Sequence, residues 1–371
     1  MEFTNSTPVP AKLLIAAPPG TPSRIGIIAA KATFKFDQLG HIEIDTQNPF
    51  PLLDKDEETP LGILPNDSAA RRGPGFEVIL LGHAYPPRRP ASATKVSLSV
   101  GKEKRELMVF GDRFWTGIAP NHRAITNPAP FDKMPLVYER AFGGTVPVNI
   151  DRDTLVDLRE PINPRGKGFD AEPQASGLCH TLRAPKGFPV LPKAPRPLPN
   201  VEDPRTLIAR WEDKPDPAGW GATPMDTAIA QCRYVRSESA KVMAAQKQGR
   251  FSTEKYQAEA AAQGKDDPDR WLYRAHPDWI IQRPPADAIV AMENLLPDVR
   301  QVQFALPQLR VVADYTLSGR EGTRDLIPQL LVLLPEEKRC YLVYRMPFTF
   351  DPAKAEERAF RLRIEPGWLA A

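Results

Sequence analysis

Strict alternation of apolar and polar side chains predicts a β-strand over residues 25–36. The apolar side chains fall on every second position: Ile28, Ala30, Ala32, Phe34 and Phe36. Polar side chains fill positions between them: Lys31, Thr33 and Lys35. A period of two residues puts the two sets on opposite faces, so we expect a half-buried strand. Gly40 then predicts a turn into a second strand that carries Ile42 and Ile44.

Short strand patterns recur at both ends of the chain. Residues 76–82 are a continuous apolar run, which is typical of a buried strand. Alternation over 96–100, a turn at 101–104 and the segment 106–110 predict a hairpin. Strand patterns return after residue 299, in these segments: 302–306, 330–334, 340–345 and 361–364. Residues 335–338 predict the turn of a hairpin. We therefore predict a mainly β fold (β-rich α+β), with antiparallel sheets as a sandwich or a barrel-like core.

The middle of the chain differs from both ends. Residues 116–235 are rich in proline, glycine and asparagine, which predicts long loops, and their aromatic side chains argue against simple disorder. Residues 236–264 are rich in Ala, Gln, Glu and Lys and predict a helical hairpin. We therefore divide the chain into a β-rich and loop-rich part (1–235), a helical insert (236–275) and a β-rich part that completes the same domain (276–371).

Composition narrows the classes of protein that the chain fits. The chain has 42 prolines among 371 residues, more than twice the usual share of about 5%, which favours short strands and stiff loops. Its net charge is only +3, without the dense basic block of a nucleic-acid binder. The three cysteines are widely spaced, and neither a signal peptide nor a membrane span is apparent. We expect a soluble, cytoplasmic protein that binds no nucleic acid and does not insert into a membrane.

A search for catalytic and metal-binding patterns finds none. No two of the five histidines have the spacing of a zinc motif, and the chain lacks a nucleophile elbow, a P-loop and a dinucleotide-binding glycine pattern. Cys179 stands beside His180, but neighbouring residues in sequence do not generally face each other, so we interpret Cys179 as a loop cysteine. We expect no enzyme activity, metal or cofactor. The alternative is a hydrolase that uses Cys179 or a buried carboxylate such as Glu139.

Four motifs combine charged, aromatic and turn-forming residues. They are 110–115 (FGDRFW), 134–144 (MPLVYERAFGG), 163–169 (NPRGKGF) and 198–204 (LPNVEDP). The opposite charges of the first two motifs predict that buried ion pairs fix the loops, which we favour. The other interpretation is a contact surface, since Tyr, Trp and Arg are enriched at binding hot spots. The last two motifs have turn chemistry and favour rigid loops.

In their order along the chain, these motifs resemble a bacterial family called domain of unknown function 2169. The Tyr-Glu-Arg-Ala-Phe-Gly-Gly block at 138–144 is the most specific part of the likeness. The likeness also covers these segments: 5–8, 31–34, 217–221, 276–278, 293–295, 304–307 and 343–345. The segment 236–275 departs from the family pattern.

The resemblance implies a function that composition and spacing do not show. Members are typically encoded near the VgrG spike and PAAR tip proteins of type VI secretion systems. The family is thought to supply adaptors or chaperones that stabilise a toxin effector with a PAAR or related segment and load it onto the VgrG spike. A structural accessory of the secretion assembly is the alternative. The candidate partner-binding residues are Arg113, Trp115, Tyr138, Glu139, Arg140, Phe142 and Trp220.

Overall fold

A computed structural model shows the fold. It describes residues 1–16, 23–67, 75–117, 123–191, 196–223, 273–283, 288–307, 309–317, 319–353 and 358–365. The predicted helical hairpin at 236–264 lies outside the described residues, as does the boundary between residues 235 and 236.

Short β-strands dominate the described residues. Those before residue 117 are β1 (Glu2–Asn5), β2 (Ala11–Ala16), β3 (Arg24–Phe36), β4 (Ile42–Ile44), β5 (Glu57–Thr59), β6 (Gly62–Leu64), β7 (Gly75–Leu80), β8 (His83–Ala84), β9 (Ala93–Val100), β10 (Glu103–Phe110) and β11 (Phe114–Thr116). In the middle are β12 (Ala124–Ile125), β13 (Met134–Pro135), β14 (Phe142–Gly143), β15 (Thr145–Asn149), β16 (Leu155–Arg159), β17 (Lys167–Gly168), β18 (Arg196–Pro197) and β19 (Val201–Glu202). The remainder are β20 (Ile280–Gln282), β21 (Ile289–Glu293), β22 (Gln301–Ala305), β23 (Val311–Leu317), β24 (Arg320–Asp325), β25 (Ile327–Leu334), β26 (Arg339–Phe350) and β27 (Arg358–Ile364). The prediction of a mainly β chain is confirmed.

The central sheet joins strands from both ends of the chain. Its order is β2-β3-β26-β25-β7-β20, and β4 also pairs with β3. β3 and β26 run antiparallel over their full lengths, from Lys35 opposite Arg339 to Arg24 opposite Phe350. β7 and β25 run parallel, whereas the predicted hairpin between β25 and β26 is antiparallel and turns through Pro335–Glu337. The strand patterns at 25–36 and 340–345, from opposite ends of the chain, therefore belong to one hydrogen-bonded sheet.

The prediction that β3 is half-buried is wrong, because both of its faces are covered. Lys31 is 1% exposed and Thr33 is 0% exposed, although both are polar. The covering loop is anchored to them: the Phe50 amide N–H donates to Thr33 Oγ1 (2.8 Å), and Lys31 Nζ donates to the Pro51 carbonyl (2.8 Å). Periodicity places side chains on a face but does not show what packs over that face.

A second sheet packs against the apolar face of β3. Its order is β19-β10-β9-β21-β22, and it contains the predicted hairpin of β9 and β10. Both sheets contribute to one hydrophobic core, in which Phe36 of β3 stacks on Phe304 of β22 with ring centroids 4.8 Å apart. A third sheet has the order β1-β27-β23-β24. Over the described ranges no sheet closes on itself, so packed sheets replace the barrel-like alternative.

The sequence patterns missed a helix in the loop-rich middle. α1 (Glu172–Leu182) buries Ala175 and Cys179 in a small core against the hairpin of β15 and β16. Cys179 is therefore helical, where we had predicted a loop. The helix contains Gly177 and only a weak apolar stripe, so tertiary packing supports it more than propensity does. No helix in the described part of the chain is long and apolar enough to cross a membrane.

Candidate functional site

The four sequence motifs meet in space and hold one another in place. β14 of the second motif pairs with β17 of the third, and Ala141 forms a bridge with Val201 of the fourth. β19, also in the fourth motif, pairs with the end of β10, which leads into the first. We call this cluster, residues 110–115, 138–144, 163–169 and 198–202, the motif junction. Sequence reasoning singled out its four parts but did not predict that they converge.

A buried ion pair lies inside the motif junction. Arg113 and Glu202 are hydrogen-bonded, and their side chains are 7% and 1% exposed. The Arg113 guanidinium also stacks on Phe110 (3.8 Å to the ring centroid) and donates to the Pro199 carbonyl (3.2 Å). The second carboxylate oxygen of Glu202 accepts from the backbone N–H of Ile208 (2.8 Å). Arg113 therefore fixes loops, as the favoured interpretation of its charge predicted.

The motif junction also contains a second, more exposed polar network. Asp112 Oδ1 accepts from Asn200 (3.0 Å), Lys167 (3.3 Å) and Arg140 (3.2 Å). The hydrogen bond from Asn200 and the nearby charges of Lys167 and Arg140 hold the pKa of Asp112 below its usual value, against the effect of burial. Arg140 also donates to the Asn200 side chain (3.0 Å). Arg140 is thus hydrogen-bonded within the motif junction, and its side chain is only partly exposed.

Asn163 explains the glycine pair of the second motif. Its side-chain amide is buried and donates to the carbonyls of Tyr138 (2.8 Å) and Phe142 (3.0 Å). Gly143 lies at φ +143°, and a Cβ there would meet the Asn163 carbonyl oxygen at 2.1 Å. Gly144 lies at φ +124°, and a Cβ there would meet the Gly166 carbonyl oxygen at 2.7 Å. Only glycine permits this backbone conformation and this close approach.

Beside the junction lies a groove that contains two of the predicted contact residues. This Tyr138 groove has a volume of about 490 Å³ and is lined by segments 58–63, 136–139, 162–165 and 221–223. Val137 and the buried Leu136, Ile162 and Ile63 give it an apolar lining. Charged groups stand at its rim, where Arg165 pairs with Glu58 (2.9 Å) and Glu139 (3.8 Å). Glu139 is 51% exposed, so it is not the buried carboxylate of the hydrolase alternative.

Of the four predicted aromatic residues, Tyr138 lines the groove and is 9% exposed, and the other three lie in different environments. Phe142 is buried in a small core with Leu198 and Ile208. Trp115 is half-buried and packs edge-on against Trp211, with ring centroids 5.4 Å apart. Trp220 is 2% exposed and belongs to the main core. Phe142 and Trp220 therefore contribute to packing, and burial leaves little of either side chain for contact with a partner.

A second groove collects titratable groups that sequence reasoning did not choose. Its volume is about 570 Å³, and its lining includes Asp203, Arg205, His276 and Asp278. Arg205 binds both carboxylates, at 2.6 Å from each. Burial alone would raise the pKa of Asp203, but hydrogen bonds from Arg205 hold it below its usual value. A carboxylate kept ionised in an ion pair is a poor general acid at neutral pH.

Cys179, the other candidate of the hydrolase alternative, differs in burial from the histidine beside it. Cys179 Sγ is buried against the Ile150 carbonyl (3.7 Å), while the adjacent His180 is exposed. Within the described ranges, no group of three or more His, Cys, Asp and Glu side chains is placed to hold a metal ion. The signal that could have identified the second groove was present in the sequence, in the segments 198–204 and 276–278 of the family likeness.

Comparisons with known proteins give one result. A family model described as an uncharacterized protein conserved in bacteria (DUF2169) matches residues 23–345. This match includes the motif junction and the linings of both grooves. No curated protein and no solved structure matches the chain.

Proposed function

Because this chain belongs to the DUF2169 family of bacterial proteins, we propose that it is an adaptor or chaperone for a type VI secretion toxin. It binds a PAAR-type or related segment of the toxin in the cytoplasm and helps to load it onto the VgrG spike. The observation that carries this proposal is the Tyr138 groove, which has an apolar lining and a charged rim and includes Tyr138 and Glu139 of the most specific family motif.

The lining of the groove fits an extended polypeptide segment. Its volume lies within the range of roughly 300–1,000 Å³ that is common for ligand sites. The apolar lining can take one or two hydrophobic side chains, while the rim of Glu58, Glu139 and Arg165 offers polar contacts. Covering an exposed apolar segment of a toxin would protect it from aggregation before secretion.

The motif junction keeps the groove in its binding shape. Asn163 donates to the carbonyls of Tyr138 and Phe142. The ion pair of Arg113 and Glu202 holds the backbone at Pro199 and Ile208, and Ile208 packs with Phe142. A preformed site loses less conformational entropy on binding than a loop that must first become ordered. Rigid loops rich in proline and glycine can therefore form a binding site from which the toxin is later released.

Co-purification tests the proposal. The full chain is tagged, expressed with its genomic neighbours and purified, with and without the neighbouring spike gene, and the recovered proteins are identified by mass spectrometry. We expect a toxin with a PAAR or related segment, and VgrG when its gene is present. Recovery of no toxin, tip or spike protein would contradict the proposal. If deletion of the gene abolishes secretion of every toxin, the accessory role is correct instead.

Matched variants test the groove itself. Val137→Asp places a charge in the apolar lining, and Glu139→Lys reverses a charge at the rim. Each is expected to weaken toxin binding by about tenfold or more, as changes at binding hot spots do. Glu321→Lys is the control, because Glu321 is an exposed glutamate on β24, outside the groove lining. If Val137→Asp and Glu139→Lys bind the toxin as tightly as the wild type and Glu321→Lys do, the toxin binds elsewhere on the chain.

A further inference from the structure

The polar face of the central sheet contains a charged cluster that is sealed from solvent. Lys31 of β3 and Tyr341 and Arg345 of β26 are each at most 1% exposed, and so is Asp67. Asp67 follows β6, and its backbone N–H donates to the Leu53 carbonyl of the covering loop (2.8 Å). Lys31 Nζ binds Asp67 Oδ2 at 2.6 Å and lies 4.4 Å from the centre of the Tyr341 ring. Arg345 Nε donates to the backbone carbonyl of Asp67 at 3.1 Å. The four residues therefore form one contiguous cluster.

The charges of this cluster do not balance. Lys31 and Arg345 are two cations, and Asp67 is the buried carboxylate between them. Glu57 is nearby but exposed. Glu77 shares this face two strands away, where its Oε1 accepts the backbone N–H groups of Arg274 and Ala275. The cluster itself thus has an excess of one positive charge, and burying an uncompensated charge is strongly unfavourable.

The hydrogen-bonding capacity of the cluster is also unfilled. Among the residues that the structure describes, both terminal nitrogens of the Arg345 guanidinium and the Tyr341 hydroxyl have no hydrogen-bond partner, and neither has Asp67 Oδ1. Arginine presents its terminal nitrogens as a planar fork that matches two oxygens of one oxyanion. A hydroxyl-bearing oxyanion such as hydrogen phosphate can fill this fork and also donate to a carboxylate oxygen.

We propose that Arg345 and Tyr341, with the charge of Lys31, bind one small oxyanion of the phosphate class beneath the covering loop. The anion balances the excess charge and ties β26 to the loop that carries Asp67. It is bound as the loop closes over the sheet, because the side chains that hold it are not open to solvent. This site is independent of the Tyr138 groove, so either proposal can fail without the other.

Thermal unfolding of the full chain in phosphate tests the site. With chloride used to match ionic strength, the Tm of the wild-type protein is expected to rise with the logarithm of phosphate concentration above the dissociation constant. Arg345→Met is expected to lose this dependence. Tyr341→Phe removes one donor and is expected to weaken the apparent phosphate affinity roughly tenfold.

Two further measurements keep the test decisive if Arg345→Met does not fold. Tyr344→Phe is the matched control: Tyr344 lies on the opposite face of β26, its hydroxyl accepts from the Leu309 N–H (3.0 Å), and its variant should keep the full phosphate response. Denaturing the extensively dialysed wild-type protein should also release close to one oxyanion per chain, as measured by ion chromatography. The site is refuted if chloride stabilises the wild type as well as phosphate does, if Tyr341→Phe and Tyr344→Phe respond alike, or if no oxyanion is released.

Discussion

Removing one partner of the Arg113–Glu202 pair should cost far more than removing both. Arg113→Met keeps most of the side-chain length but leaves the Glu202 carboxylate, which is 1% exposed, without its counter-ion. Breaking a buried pair in this way costs about 3–5 kcal/mol of unfolding free energy. Glu202→Met leaves the Arg113 guanidinium unpaired in the same way and also removes the acceptor of the Ile208 N–H.

The double variant Arg113→Met/Glu202→Met has no buried charge left at the position of this pair. Its main remaining defect is the unpaired Ile208 N–H, which costs about 1–3 kcal/mol. The sum of the two single losses should therefore exceed the loss in the double variant by several kcal/mol, and this difference is the coupling energy of the pair. Urea denaturation of the four proteins at neutral pH measures it.

The pH dependence gives an independent check on the same pair. In Arg113→Met, burial without a counter-ion raises the pKa of Glu202 above its value in the unfolded chain. A carboxyl with a raised pKa in the folded state favours folding when protonated, so the deficit of this variant should shrink as the pH falls from 7 towards 5. If the single losses are additive, or if the deficit is the same at both pH values, the pair does not stabilise the motif junction as the structure indicates.

Three other variants probe the loops around the groove. Asn163→Ala leaves two backbone carbonyls without their donor and should cost about 2–4 kcal/mol in urea denaturation, with a smaller loss contradicting the assigned hydrogen bonds. Gly143→Ala should lower the Tm markedly, because its Cβ would meet a backbone oxygen at 2.1 Å; Gly177→Ala in α1, which meets nothing within 4 Å, should instead stabilise the protein by about 0.5–1 kcal/mol. The pKa of Asp112 is lowered in the folded protein, so its ionised carboxylate stabilises the fold above its unfolded pKa, and this stabilisation is lost as the pH falls through its folded pKa. The free energy of unfolding of Asp112→Asn should therefore depend less on pH in that acidic range than that of the wild type.

Local sequence patterns identified most of the long strands. Period-two alternation and apolar runs predicted β3, β7, β9, β10 and β22, and also β25, β26 and β27, because each strand must present one or both faces to a core. The turns at Gly40, at residues 101–104 and at 335–338 were also predicted from residue chemistry. α1 was missed because its sequence has little amphipathic character, and packing against β15 and β16 supplies the stability that its propensity lacks.

The sequence by itself thus determined the secondary structure class, the hairpins of β9 with β10 and of β25 with β26, and the residues of the four motifs. Tertiary structure alone decided that β3 pairs with β26, more than 300 positions away, and that Lys31 lies buried beside Asp67. It also decided that the four motifs converge on Arg113, Asn163 and Glu202. The physical reason is that strand and turn preferences arise between neighbours in the chain, whereas pairing partners and burial depend on contacts between distant segments, which no local pattern encodes.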